Sequence, residues 1–416
     1  MRILVHDYSG HPFQVQLSRQ LARLGHEVLH LHCPSFTTGK GALDRSHDDP
    51  PSFSVSGVDL GAVFEKYSLT RRYGQERRYG RMLIARAAAF RPDVVLSSNT
   101  PLFTQQRFIA WCRRAGVPFV FWQQDIYSVA MSAIARGRAP LIGAAAGSVF
   151  RRIERRMLRE SAAVVSISED FLPVLRHWGI PEERLHVIEN WAPLDELPLR
   201  SRRNPWSAEH GLDDKIVLLY SRTLGLKHNP DLLLRLALHW RHRPDVAVVV
   251  NSEGPGADWL RSRVIEHRLT NLRVLGFQPY ERMPEVLATG DVLVVILNND
   301  AGVFSVPSKV LSYQCAARPL LAAVPSDNLA ARLIVRSGSG ILVRPDDPDA
   351  FVGGSERLVE NPALRAALGK NARRHAVEAF DIAAVGNRFE FLLRGATLVA
   401  GSRTSPQLIE VPHAPR

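Results

Sequence analysis

Residues 1–32, MRILVHDYSGHPFQVQLSRQLARLGHEVLHLH, decide the fold class. Ile3-Leu4-Val5 is a short apolar run of the kind that makes a buried strand. It leads into a turn-rich loop, Asp7-Tyr8-Ser9-Gly10-His11-Pro12. Phe13, Leu17, Leu21 and Leu24 then recur at helical spacing, and Gly25 stops the helix. Residues 28–32 alternate apolar side chains with histidine and read as the next strand. Strand, loop, helix, strand is a βαβ opening.

The same rhythm runs outward along the chain. Short apolar runs at 94–96, 117–122, 163–167 and 185–188 each follow a helical stretch. Residues 191–215 break the pattern with Pro193, Pro198, Arg202-Arg203-Asn204-Pro205 and Gly211, which predicts a linker. The pattern restarts with a strand at 216–220 and a helix from about Pro230. Strands follow at 246–250, 273–275, 292–297, 320–323 and 341–343. Strands alternating with helices predict parallel sheets covered on both faces. From about Gly401 the chain reads as a frayed polar tail.

The chain has 416 residues, 45% hydrophobic and 23% charged, which suits two or three domains and not a disordered or collagen-like chain. Three scattered cysteines (Cys33, Cys112, Cys315) cannot form a disulfide framework or a four-ligand zinc site, and they fit a reducing compartment. The first residues lack a secretory pattern, and no stretch approaches the roughly 18 uncharged residues of a spanning helix. The expectation is a cytoplasmic protein, soluble or bound to a membrane surface. Its net charge of +12 is concentrated: residues 66–160 carry 18 Lys and Arg against 5 Asp and Glu. Such a block implies an anionic partner. The apolar segment 134–150, followed by Arg151-Arg152-Ile153-Glu154-Arg155-Arg156-Met157-Leu158-Arg159, suits an anionic membrane surface. Nucleic acid is the rival partner, but the aromatic residues that stack on bases are sparse here and none is expected to bind.

In open parallel sheets, ligands bind beyond the carboxyl ends of strands. After the strand at 216–220 comes Ser221-Arg222-Thr223-Leu224-Gly225-Leu226-Lys227-His228-Asn229-Pro230-Asp231, with Asn229 as helix cap and Pro230 in the first turn. Arg222 and Lys227 thus flank a helix N-terminus that favours an anion, which predicts a diphosphate clamp. After the strand at 292–297 comes Asn298-Asn299-Asp300-Ala301-Gly302-Val303-Phe304-Ser305-Val306-Pro307-Ser308-Lys309. Lys309 would open a helix against its dipole, as expected if an anion sits between the ammonium and the amides. Gly302 would let the backbone come close. Ser252-Glu253-Gly254 and Leu275-Gly276-Phe277 share this edge, and Phe277 offers a ring for a nucleobase. In the first half, the loop at Gly10 precedes a helix without a GxGxxG fingerprint, and Asp125 follows the strand at 117–122 as a carboxylate for acid–base work. Asp347 and Asp349 read as a turn and helix cap. No metal-ligand spacing, GxSxG or P-loop occurs, so neither a metal nor a cofactor is expected.

Together, the segments at 221–230, 276–277 and 301–309 resemble the donor-site motifs of GT-B glycosyltransferases, family 4, in the colanic-acid and O-antigen-type exopolysaccharide branch. The loop 7–10 and the stretch Val187-Ile188-Glu189-Asn190-Trp191-Ala192 extend the likeness over about residues 1–395. The resemblance implies an α/β chain of two Rossmann-like, doubly wound parallel-sheet domains facing across a cleft. An acceptor domain would span 1–195 and a nucleotide-sugar donor domain 205–385. A helix at 386–400 would cross back to the first domain, before a flexible tail at 401–416. It also implies a retaining, metal-independent transfer from a UDP- or GDP-linked sugar to a lipid-linked or polysaccharide acceptor. By position, Arg222 and Lys227 match the cations that neutralise the donor diphosphate, and Gly302, Val303 and Phe304 the segment near the phosphate and sugar. Many relatives carry two glutamates where this chain has Phe304 and Ser312, and some carry glycine at Arg222; Asp300 or backbone groups are then left to hold the donor's hydroxyls. Within enzymes, a nucleotide-sugar epimerase or hydrolase is the alternative; outside them, a basic nucleic-acid binder.

Overall fold

The computed structural model describes residues 1–36, 40–62, 69–98, 100–128, 140–225, 228–299 and 308–404. The chain divides into two compact units, Met1–Glu189 with Ile382–Arg416, and Asn190–Asp381. The helix Ile382–Thr404 belongs to unit 1 and takes in residues 401–404, the start of the tail expected at 401–416; the rest of that tail lies outside the described residues.

Unit 1 is built on a sheet of seven parallel strands: β1 (Arg2–Asp7), β2 (Glu27–His32), β3 (Phe53–Gly57), β4 (Val94–Ser98), β5 (Phe119–Gln123), β6 (Ala163–Ser166) and β7 (Leu185–Val187). Their order is β3-β2-β1-β4-β5-β6-β7. The interior strands β1 and β4 are buried almost throughout, as sheets covered on both faces require. Sequence reading missed β3. Its run Phe53-Ser54-Val55-Ser56 has too few apolar residues to mark a strand by itself, and it needs few: β3 is an edge strand paired only with β2.

Unit 2 carries six parallel strands: β8 (Ile216–Ser221), β9 (Val246–Asn251), β10 (Leu272–Leu275), β11 (Val292–Ile296), β12 (Leu320–Ala323) and β13 (Gly340–Val343). Their order is β10-β9-β8-β11-β12-β13. The runs VAVVVN in β9 and VLVVI in β11 are wholly buried, and Leu218, Tyr220, Leu233, Leu236 and Val248 pack with them into one core. Each fully buried aliphatic side chain of this kind contributes about 1.5–3 kcal/mol. The stretch predicted as a linker holds a short helix, Pro205–Glu209. Asn204 and Ser207 form a capping box, and Trp206 is fully buried with its indole N–H donating to Gln278 Oε1 at 2.9 Å. One of the prolines that break the strand–helix rhythm here, Pro205, starts a helix instead, because a proline is tolerated in a first turn.

In each sheet the strand order reverses beside the unit's first strand, at β1/β4 and at β8/β11, where open α/β sheets place their ligands. Register fixes what emerges there. Ser221 pairs with Asn251, and Asn251 with Leu275, so the segments from Arg222, Ser252 and Gly276 leave the same edge side by side.

Candidate functional site

The carboxyl edge of the unit 2 sheet gathers most of the predicted donor residues that are described. Arg222 follows β8 with φ of 131°, a conformation that costs a residue with a side chain about 1–3 kcal/mol. Its N–H donates to the Asn251 carbonyl at 3.0 Å, which locks the turn onto β9. Tyr313 clamps the same strand end: its hydroxyl accepts from the Ser221 N–H and donates to the Ser221 carbonyl, both at 2.9 Å. Arg222 reaches Ser312 Oγ only at 3.5 Å, and its buried Nε has no partner among the described residues.

Lys309 is the first residue of the helix Lys309–Cys315. Its side chain turns back against β8, where Nζ donates to Tyr220 Oη at 2.6 Å and lies 4.1 Å from that ring's centroid. Burial, reinforced by the Arg222 guanidinium, pushes the Lys309 ammonium down to about 7. On the adjoining strand end, paired with Ser221, the Asn251 amide is buried with both polar atoms unpartnered among the described residues. Such groups are costly unless something completes them.

Further along the edge, Glu253 Oε1 accepts from the Phe277 N–H at 3.2 Å, and the Phe277 ring is 50% exposed. Gly276 sits against this carboxylate, since a Cβ there would lie 3.2 Å from Glu253 Oε1. Gly256, in the first turn of helix Pro255–Glu266, is pressed on the Arg222 loop: a Cβ would come within 2.5 Å of the Leu224 carbonyl oxygen. With strands about 4.8 Å apart, the two intervals from β8 to β10 set the backbone leaving at Arg222 and that leaving at Gly276 roughly 10 Å apart. That arrangement can hold an anion at one end and a flat ring at the other.

At the carboxyl edge of unit 1, Asp125 lines a cavity of about 340 Å³ with Tyr8, Arg72, Trp122, Tyr127 and Glu154. Glu154 accepts from the Tyr127 and Ser128 N–H groups, both at 2.9 Å, and burial raises its carboxyl. Arg72 donates to Glu76 Oε1 at 2.8 Å and to the Tyr127 hydroxyl. Asp7 closes the nearby helix start. It accepts from the N–H groups of Ser9, at 3.0 Å, and His11. Burial works to raise its carboxyl, but the hydrogen bonds and charge of His11 hold it below the usual range. Gly10, with φ of 73°, is covered: a Cβ would meet Leu43 at 2.9 Å, and its carbonyl accepts from Gly41.

Two family models match the chain, Glycosyl transferase 4-like domain over residues 11–191 and Glycosyl transferases group 1 over residues 202–375. The chain belongs to the family-4-like glycosyltransferases. Among curated relatives, alpha-D-kanosaminyltransferase of Streptomyces kanamyceticus is 24% identical over 250 residues, 58% of this chain and 62% of that one. The putative colanic acid biosynthesis glycosyl transferase WcaI of Escherichia coli is 22% identical over 290 residues, 68% and 70% of the two chains. The match thus spans somewhat less than two thirds of the first relative's length. Among solved structures, Anabaena HepE in complex with UDP and glucose superposes with a TM-score of 0.68 at 16% identity, covering 95% of this chain and 99% of that one. This likeness is one of fold, in keeping with the GT-B class.

The chain therefore brings Arg222, Glu253, Gly276, Phe277, Lys309 and Ser312 to one edge of unit 2, and sets Gly10 and Asp125 at the corresponding edge of unit 1. Lys227, Asp300, Gly302, Val303 and Phe304 lie outside the described residues. The same edges also carry residues that sequence reading passed over: Tyr220, Asn251 and Tyr313 at the unit 2 edge, and Arg72 and Glu154 in the unit 1 cavity. Tyr313 was findable, four residues after Lys309 and so on the same helix face. Asn251 carried a weaker signal, as the one polar residue closing an all-apolar strand. Elsewhere, Asp347 caps the helix Pro348–Glu360 by accepting from the Ala350 N–H at 2.9 Å. No trio of His, Cys, Asp or Glu among the described residues is gathered as a metal site.

Proposed function

We propose that this glycosyltransferase moves a sugar from a nucleotide-sugar donor, UDP- or GDP-linked, to a lipid-linked or polysaccharide acceptor, with retention of anomeric configuration. The donor's pyrophosphate is held at the unit 2 edge and its base lies toward Phe277. The observation that carries this reading is the Lys309–Tyr220–Arg222 arrangement: a guanidinium and an amine fixed at a strand end, with no ion pair to a carboxylate from either among the described residues. When the glycosyl bond breaks, charge accumulates on the departing nucleoside diphosphate. Fixed cations and helix-end dipoles are already oriented to stabilise it, and such preorganisation is commonly the largest catalytic contribution. In this reading Lys227 completes the clamp, Gly302, Val303 and Phe304 line the phosphate and sugar, and Asp125 orients or deprotonates the acceptor hydroxyl. The UDP and glucose found in the HepE complex support the donor class.

The likeness to WcaI supports a place in exopolysaccharide assembly. The exposed arginines 151, 152, 155, 156 and 159 of helix Pro140–Glu160 support attachment to an anionic membrane surface on the cytoplasmic side. Among the described residues no helix is long and apolar enough to cross a membrane. A thermal-shift screen against UDP-, GDP-, ADP- and dTDP-sugars tests the donor reading: one of them raises the melting temperature. The absence of any shift at millimolar ligand would count against it. Product analysis with a lipid-linked acceptor then separates transfer from hydrolysis or epimerisation.

A further inference from the structure

Lys309 is placed unusually for a phosphate-binding cation. Its ammonium is enclosed in unit 2, with the whole residue 5% exposed. The Tyr220 hydroxyl gives its proton to the Thr223 carbonyl at 2.9 Å, so its oxygen only accepts from Lys309. Among the described residues, the titratable and charged groups around the ammonium are Tyr220 on β8, Arg222 after it, and Tyr313 on its own helix, whose hydroxyl is spent on Ser221. The ring face of Tyr220 attracts a cation, but nothing among the described residues supplies a counter-charge. The neighbouring charge is another cation.

We infer that Lys309 takes up a proton when the donor's pyrophosphate binds, so that anion binding and protonation of this one amine are a single linked event. The inference rests on the donor reading above. The step is simple in its balance: a neutral amine, a proton from bulk buffer and the pyrophosphate give an ammonium–pyrophosphate ion pair, and no covalent bond changes. The physical cause is burial beside Arg222 with no counter-ion supplied by the described residues. An amine held near neutrality by burial and by Arg222 regains its charge once an anion arrives. The sign follows. Lys309 has the higher pKa in the complex, so between about pH 7 and that higher value the complex binds more protons than the free protein. Donor affinity then falls as pH rises, by up to about tenfold per pH unit, until the pKa of the complex is reached. Below about pH 7 the amine is already charged and the dependence flattens.

Calorimetric titration of the full chain with UDP and with GDP at about pH 8, in two buffers of different ionisation enthalpy, reads the proton count directly. The terminal phosphate of the nucleotide, with a pKa of about 6, is already ionised there. The expected result is uptake of roughly 0.9 proton per nucleotide bound. In Lys309→Arg the side chain stays charged, so uptake disappears whatever happens to affinity. The wild-type affinity profile from about pH 6.5 to 9 gives a second reading that needs no variant. Binding with no proton uptake overturns the inference and leaves the donor reading standing. Uptake that survives in Lys309→Arg overturns the assignment to Lys309. Failure of the wild-type protein to bind any nucleotide overturns the inference and the donor reading together.

Discussion

Replacing Arg222 by glycine should move stability and donor binding in opposite directions. Arg222 holds φ of 131°, where glycine is free of strain and other residues pay about 1–3 kcal/mol. Glycine returns part of that gain through the greater freedom of its unfolded chain, up to about 1 kcal/mol. The guanidinium itself contributes little to the fold. Its contact with Ser312 is long at 3.5 Å, and its Nε is buried without a partner among the described residues. The balance predicts an Arg222→Gly protein more stable by about 1 kcal/mol, seen as a higher urea midpoint with an unchanged slope. Arg222→Ala keeps the strained backbone and should fall below the glycine variant by a similar amount. Nucleotide affinity should drop about 10- to 100-fold in both, the loss expected for one charge-assisted contact of about 1.5–3 kcal/mol. Isothermal titration beside the urea curves checks both halves. A glycine variant less stable than the parent refutes the strain argument, and undiminished affinity refutes the placement of Arg222 at the diphosphate.

Lys227→Ala should lower transfer by roughly 10²–10³ while the unfolding curve stays put; wild-type turnover would remove Lys227 from the clamp. Tyr313→Phe deletes both hydrogen bonds to Ser221 and leaves a buried N–H unpaired, so it should destabilise by about 1–3 kcal/mol in urea titrations. Asp125→Asn should reduce transfer but leave nucleotide affinity unchanged, because Asp125 stands on the unit 1 sheet; unchanged turnover would take it out of the chemistry.

The fold was legible where burial on both faces leaves a continuous apolar signature, as in β1, β4, β9 and β11. It was illegible at β3, where an edge strand needs few apolar residues, and at Pro205–Glu209, where prolines that mark a linker also open a helix. At the candidate site, Arg222, Glu253 and Phe277 could be picked out because each follows or closely trails a strand of a parallel sheet, and Lys309 because it opens a helix against the dipole. Their working partners could not. Lys309 meets Tyr220 across 89 positions of sequence, and Tyr313 meets Ser221 across 92, contacts that only the pairing of β8 beside β11 creates. The direction in which the Lys309 side chain runs was also hidden. A lysine opening a helix reads from sequence as facing the helix end, whereas burial against Tyr220 draws it beneath the strand end and lowers its charge.

A crystal structure of the protein grown with the nucleotide-sugar that gives the largest thermal shift tests the central claim most directly. Pyrophosphate oxygens are expected within hydrogen-bond reach of Arg222 and Lys309, with the base beside Phe277. A nucleotide bound elsewhere on the molecule, with both cations untouched, would contradict it.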